Sequence, residues 1–317
     1  MNKRILITGV AGFIGSSLAD NLIRNNCIVF GIDNFDPFYE RSVKEKNIAD
    51  VSKQPGFSFQ EGDIRDSHFI ERCILEFRPD VIVHLAAKAG VRPSIKDPAT
   101  YYDVNVAGTL TILEVMKKNS IKKMIFASSS SVYGNNEKVP FSEKDNVDYP
   151  ISPYAATKKA GELLCHTFHH LYEMDIFCLR FFTVYGPRQR PDLAIYKFTR
   201  AIMKEEPLTL YGDGTSSRDY TYIDDIVHGI KLAISRVRGF EVINLGDSEP
   251  VSLGELVRLL EKITCRKAVR HYLPAQEGDV FRTYADIRKA GKMLNYKPAT
   301  NIESGIARFV EWFRENN

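Results

Sequence analysis

The chain has 317 residues, enough for two domains of ordinary size or one large one. Forty-three Lys and Arg against 40 Asp and Glu leave a formal charge of +3, far from the basic excess with which proteins hold nucleic acid. With 44% apolar and 26% charged residues the sequence reads as globular, which excludes disordered, collagen-like and coiled-coil classes.

The chain opens Met1-Asn2-Lys3-Arg4 and continues into a mildly apolar run over 5–15. This imitates a signal peptide, but it carries three glycines and lacks a small-residue cleavage site. It is also well short of the roughly 18 residues a membrane helix needs. The pattern predicts a strand over 3–8 and then a helix over 13–25, with Ile14, Leu18, Leu22 and Ile23 on one side. Further strands are expected at 28–33, 57–61, 81–85, 124–128 and 176–182, with helices at 67–77, 98–119 and 152–173. This βαβα alternation implies a parallel sheet with helices on both faces, and the continuous apolar strand Val81-Ile82-Val83 suits burial on both sides. The run Lys44-Glu45-Lys46 is expected to be a solvated helix face.

After residue 182 the alternation lapses, and Pro187, Pro191, Pro207, Gly212, Gly214 and Pro250 punctuate shorter elements. The expected organisation is a dinucleotide-binding domain over 1–182 and a smaller substrate domain over 183–317. A helix at 222–236 and a strand at 241–245 place the segment 222–247 back with the main sheet. The five cysteines are odd in number, widely spread and form no C-x-x-C pair, so they read as reduced thiols of a cytoplasmic protein.

Gly9-Val10-Ala11-Gly12-Phe13-Ile14-Gly15 follows a strand and opens a helix. Such a turn brings backbone N–H groups and a helix N-terminus to a pyrophosphate, the arrangement of a Rossmann-type dinucleotide fold. Asp33 ends the second strand, 18 residues after Gly15, where a carboxylate accepts from ribose hydroxyls and repels a 2′-phosphate, favouring NAD over NADP. Asp63 and Ile64, after the third strand, flank the adenine or simply make a turn. Tyr154 and Lys158 lie four apart on a helix and so share a face. A neighbouring ammonium favours phenolate, letting a tyrosine exchange a proton at neutral pH. Ser128-Ser129-Ser130-Ser131 sits at the C-terminal end of the fifth strand, where open α/β sheets bind ligands, although one or two of the four are only turn residues. His166 and His170 have metal-compatible spacing but no third ligand or adjoining Glu, so a solvated helix end is expected and no metal. His84, at a strand end, is expected to be packed or hydrogen-bonded.

Together Gly9, Gly12, Gly15, Asp33, Ser129, Tyr154 and Lys158 resemble the extended short-chain dehydrogenase/reductase superfamily along essentially the whole chain. Within it the sequence is similar to the UDP-glucuronate 4-epimerase group. That similarity rests on Asp33-Asn34-Phe35 with Phe38-Tyr39, the stretch from Ala86 to Arg92, Tyr154-Ala155-Ala156-Thr157-Lys158, Phe181-Phe182-Thr183-Val184-Tyr185-Gly186-Pro187, and above all Arg190-Pro191-Asp192. The resemblance implies that Tyr154 takes the C4 hydroxyl proton while hydride passes to NAD, that the 4-keto sugar rotates, and that hydride returns to its opposite face. Ser129 matches the catalytic hydroxyl, Ser131 assists, and Lys158 also holds the nicotinamide ribose. The implied cofactor set is Gly9, Gly12, Phe13, Ile14, Gly15, Asp33, Asn34, Asp63, Ile64, Leu85, Ala86, Ala87, Lys88, Asn105, Tyr154 and Lys158. The implied UDP-sugar set is Arg92, Ser129, Ser131, Thr183, Arg190, Arg218 and Asp279. Gln276 stands where hexose 4-epimerases often carry a diphosphate-binding arginine. The resemblance also implies a homodimer built from the helices near 98–119 and 152–173.

Arg188 and Arg190 open the substrate segment, and a guanidinium can hold a uronate carboxylate with two parallel hydrogen bonds. The expected carboxylate ligand is Arg190, with Thr183 assisting. A 4,6-dehydratase carries an Asp-Glu pair in the turn that here reads Ser130-Ser131, so dehydration is excluded. A UDP-glucuronate decarboxylase, a neutral UDP-hexose 4-epimerase and a non-enzymatic NAD sensor remain the alternatives.

Overall fold

A computed structural model describes residues 2–274 and 280–316. Its centre is a seven-stranded, all-parallel sheet made of β1 (Arg4–Thr8), β2 (Ile28–Asp33), β3 (Phe57–Glu61), β4 (Val81–His84), β5 (Lys123–Ser129), β6 (Asp175–Phe181) and, after three strands that lie outside it, β10 (Phe240–Leu245). The spatial order is β10-β6-β5-β4-β1-β2-β3. The chain therefore winds in both directions from β1, and the switch point between β1 and β4 opens a crevice at the strands' carboxyl ends.

Alternation along each strand divides the core. Ile5, Ile7, Val81, Val83 and Ile125 face one layer, while Leu6, Ile82, Met124 and Phe126 face the other. On the first side pack α1 (Phe13–Arg24) and α9 (Ile223–Arg236); on the second pack α3 (Ser67–Phe77), α6 (Gly108–Lys118) and α7 (Pro153–Tyr172). The intervening short helices are α2 (Arg41–Ala49), α4 (Val91–Lys96) and α5 (Pro98–Tyr102). Continuous apolar strands are thus sandwiched, as a sheet covered on both faces requires.

The remaining elements are β7 (Thr183–Tyr185), α8 (Ala194–Lys204), β8 (Pro207–Tyr211), β9 (Ser217–Tyr222), β11 (Pro250–Ser252), α10 (Leu253–Thr264), β12 (Val269–Leu273), α11 (Arg288–Leu294) and α12 (Ile302–Asn316). They form a three-stranded sheet, β11-β9-β7, and a two-stranded one, β12-β8. Their apolar residues, such as Ile202, Leu256, Leu260 and Phe309, belong to the same core cluster as α1 and α9.

The expected helix over 98–119 is interrupted. After α5 the residues Asp103–Ala107 form a π-turn, and only then does α6 begin. The extra residue per turn is held by Asn105, whose amide donates 3.0 Å bonds to Lys88 O and Thr157 Oγ1. The expectation for Lys44 is corrected as well. Lys44, Asn47 and Ile48 occupy one face of α2 at i, i+3 and i+4, and that face is buried. Among the described residues, no helix is long and apolar enough to cross a membrane.

Candidate active site

Gly9 and Gly15 make the turn after β1 possible. A Cβ at Gly15 would lie 2.2 Å from Gly9 O, and one at Gly9, whose φ is +74°, would lie 2.8 Å from Ala86 N. The turn therefore closes on itself and abuts the loop after β4. Gly12 caps α1 with no side-chain hydrogen bond, and the first helical turn carries no acidic residue. This leaves N–H groups and the positive helix end directed at an anion, which fits a dinucleotide pyrophosphate.

Asp33, at the end of β2, is 7% exposed. Its Oδ2 accepts from Ala11 N–H at 3.0 Å and its Oδ1 from Phe35 N–H at 2.9 Å, which leaves a lone pair on each oxygen. Burial pushes its pKa up, opposed first by Lys44, whose Nζ stands 3.8 Å from Oδ1. Asn34 donates to Asp63 at 2.9 Å, and the Arg65 guanidinium beside Asp63 holds that carboxyl at about 2.

One cleft runs along the carboxyl ends of the strands. Gly9, Gly12, Phe13, Ile14, Gly15, Asp33, Asn34, Ile64, Leu85, Ala86, Ala87 and Lys88 line its first half. Ser129, Ser131, Tyr154, Lys158, Thr183, Arg190 and Arg218 line its second half. Lys44, Leu193 and Thr283 also line it; the sequence suggested a solvated face for Lys44 and gave no role to Leu193 or Thr283. For Lys44 the helical spacing to Ile48 was the available signal. Asp63 and Asn105 stand behind the lining. Arg92 lies outside it, with its guanidinium 4.8 Å from the Tyr211 ring centroid. Asp279 and Gln276 fall outside the described residues.

At the centre, α7 brings Tyr154 and Lys158 to the cleft one turn apart. Ser131 donates to Ser129 Oγ through its hydroxyl at 2.9 Å and through its N–H at 3.2 Å, so the Ser129 proton points elsewhere. The Ser129 hydroxyl bonds Tyr154, and with the Arg190 charge it pulls the phenol's pKa down against the larger upward push of burial. Lys158 donates to Ala127 O at 2.7 Å, and burial pushes it down to about 8. The remaining serines, Ser128 and Ser130, line the cleft as well, and the Ser128 hydroxyl is taken up by Glu162, to which it donates at 2.6 Å.

Behind this centre Asn105 clamps the loop after β4: its Oδ1 accepts Lys88 N–H at 2.8 Å while its amide holds Lys88 O. His84 is buried in a fixed chain. Thr109 donates to Asn105 O, so its oxygen accepts from His84 Nε2–H; Ala86 N–H donates to Thr8, whose hydroxyl donates to His84 Nδ1. The imidazole is therefore neutral, and burial holds it at about 3. The two arginines that follow β7 diverge. Arg188 pairs with Asp20 of α1 at 2.6 Å, and Arg190 lines the cleft. His166 and His170 are exposed on α7, with His166 edge-on to Phe240.

Residues 6–309 match the family described as GDP-mannose 4,6 dehydratase. A UDP-glucuronate 4-epimerase from Thermodesulfobacterium geofontis is 44% identical over 98% of this chain and 96% of its own. The UDP-glucuronic acid 4-epimerase of Bacillus cereus, solved with UDP-glucuronic acid and NAD, is 38% identical with a TM-score of 0.94, covering 99% of this chain and 100% of that one. The UDP-glucose 4-epimerase of Thermotoga maritima, solved with UDP-glucose, is 35% identical with a TM-score of 0.91, covering 98% and 99%. A glycine turn, a buried carboxylate at the end of β2 and a Ser–Tyr–Lys group in one cleft accord with these matches: the chain belongs to the GDP-mannose 4,6 dehydratase family of the extended short-chain dehydrogenase/reductase superfamily.

Proposed function

We propose that this protein is an NAD-dependent nucleotide-sugar 4-epimerase that interconverts UDP-glucuronate and UDP-galacturonate. The observation that carries the substrate is Arg190: a half-buried guanidinium in the same cleft as Tyr154 and Ser129, where a neutral hexose needs none. The similarity to UDP-glucuronate 4-epimerases supports it.

In this reading Gly9, Gly12 and Gly15 admit the pyrophosphate to the end of α1, and Asp33 accepts from the adenosine ribose. Bound NAD would take hydride from C4, return it to the opposite face, and in its oxidised form add a positive charge beside the Tyr154 phenol. Tyr154 takes the C4 hydroxyl proton and gives it back, and Ser129, its own acceptor sites filled by Ser131, donates to the same oxygen. Lys158 favours the phenolate electrostatically and reaches the nicotinamide ribose. Thr183, Arg190 and Arg218 hold the uronate and the UDP. The turn Ser130-Ser131 offers no carboxylate for dehydration, despite the family's description. A homodimer fits the same reading, since Tyr102, Leu110 and Leu163 expose apolar side chains on α5, α6 and α7.

One observation favours the neutral-hexose alternative: Arg190 already holds a carboxylate, that of Asp192. Product NMR separates the readings. Purified protein given UDP-glucuronate without added cofactor should yield UDP-galacturonate. A UDP-pentose with released CO₂ would make it a decarboxylase, and turnover of UDP-glucose alone would make it a neutral-sugar epimerase. Arg190→Ala should depress UDP-glucuronate turnover by about 100-fold, the scale of a lost charged hydrogen-bond pair, and UDP-glucose turnover far less. Equal losses would remove the carboxylate role.

A further inference from the structure

Arg190 reaches the cleft with a partner in place. Its Nε donates to Asp192 Oδ1 and its Nη2 to Asp192 Oδ2, both at 2.9 Å, a two-bond fork that leaves the Nη1–Nη2 edge to other ligands. Pro191, with its φ fixed, stands between the two residues. The Phe38 ring lies 5.2 Å from the guanidinium carbon and covers one of its faces. Arg190 and Asp192 side chains are 17% and 34% exposed, so this cation is sheltered enough that leaving it without a counter-charge is costly. Arg190 lines the cleft, whereas Asp192 does not.

Epimerisation by oxidation and re-reduction makes a demand that binding alone does not. Between the two hydride transfers the 4-keto sugar must turn over in the cleft, and its C5 carboxylate moves with it. If the substrate carboxylate were the sole partner of Arg190, turning would strip a sheltered cation of its counter-charge at the top of the rotational barrier. Resting on the assignment of Arg190 to the uronate, we propose that Asp192 is the alternate partner of Arg190. It shares the guanidinium with the substrate in the bound states and holds it alone while the sugar turns. Asp192 then acts through Arg190 as a positioning residue with two opposed effects. Its charge repels the uronate and loosens both bound states, and its fork keeps the cation paired in the turning state. A ground state held less tightly than the barrier state raises the rate.

Asp192→Asn keeps the side chain's shape and removes its charge. On UDP-glucuronate this variant should lower KM about tenfold and kcat by a similar factor, leaving kcat/KM nearly unchanged. The trapped 4-keto state should appear as steady-state near-ultraviolet absorbance of reduced nicotinamide on the enzyme. With UDP-glucose, the same variant should raise KM and accumulate no reduced cofactor, because no carboxylate then balances Arg190. Asp192→Glu should restore the wild-type split. A raised KM with unchanged kcat would mean that Asp192 only orients Arg190, and equal losses on both substrates would mean a structural role. Either result overturns the proposal, as does an unchanged enzyme. The parallel Arg190→Ala measurement keeps the failures apart. A uronate-selective loss there beside an unaltered Asp192→Asn enzyme rejects this inference alone, whereas an unselective loss rejects the carboxylate clamp and this inference together.

Discussion

His84 shows how a single side chain fixes the geometry beneath the site. It is 2% exposed and spans Thr8 on β1 and Thr109 on α6, so the glycine turn after β1 and the helix that carries Asn105's carbonyl partner share one hydrogen-bond chain. Each hydroxyl in that chain already donates in a set direction, so a second proton on the ring would meet an oxygen with no lone pair aimed at it. An unfolded histidine binds that proton below about 6.5, while the folded one resists it down to about 3. Between those values the unfolded chain carries more protons, so stability rises with pH through the window and is lost as pH falls through it. The contribution is on the order of 5 kcal/mol across the window. Urea denaturation at pH 7 and pH 4 should therefore show a smaller acid loss for His84→Gln than for the parent protein. Equal losses would place the acid sensitivity elsewhere. That His84 is packed and bonded was legible from its place at a strand end. Which threonines hold it was not, because they lie 76 and 25 residues away and only the fold brings them together.

At the scale of elements, α7 matters most, because it delivers both Tyr154 and Lys158. Its register is pinned from inside the protein by Glu162, one turn beyond Lys158. Glu162 accepts two 2.8 Å bonds from Arg180 of β6 and one from Ser128 of β5, and the paired side chains are 3% exposed. Arg180 also lies 4.8 Å from the Tyr133 ring centroid. Removing one partner of such a pair strands the other charge, at about 3–5 kcal/mol, whereas replacing both with apolar groups is often neutral. Glu162→Gln should thus lose on the order of 3 kcal/mol in chemical denaturation. Glu162→Leu combined with Arg180→Met should lose less than the single change, and an additive double variant would contradict the argument. Ser128 sits next to Ser129, so the single change should also lower kcat by displacing the turn that carries Ser129. The span of α7 could be read from Ser152 and Pro153 at its start and from its helical periodicity. The break before α6 could not, because the π-turn answers to bonds from Asn105 to Lys88 and Thr157, 17 and 52 residues distant. Lys44 misled for a related reason: charge suggested solvent, while its helical phase with Ile48 marked the inward face.

At the scale of the molecule, the parallel sheet was legible because the central strands β1, β4 and β5 are apolar on both faces and amphipathic helices recur between the strands of the first half. The second region was less so. Its small sheets pair strands far apart in sequence, as Leu208 does with Arg270, and β7 and β11, three residues each, are too short to carry a period of their own. One surface is exposed and apolar. The inner sides of α6 and α7 close the core over the sheet, yet Tyr102, Leu110 and Leu163 are 47%, 39% and 56% exposed on the outer side. Apolar side chains gathered on adjacent helices mark an association surface more often than a solvated one. A twofold pairing of this face with itself would bury all three on each copy. The proposed dimer predicts a sedimentation mass near twice 36.0 kDa for the parent protein. Leu163→Glu places two carboxylates across a twofold interface and should return the mass to that of one chain, since burying an unpaired charge outweighs the apolar contacts around it. Because Leu163 lies on the helix that carries Tyr154 and Lys158, the monomeric variant should also lose activity while keeping its secondary structure. A parent protein that sediments as a single chain would leave this face without a self-partner.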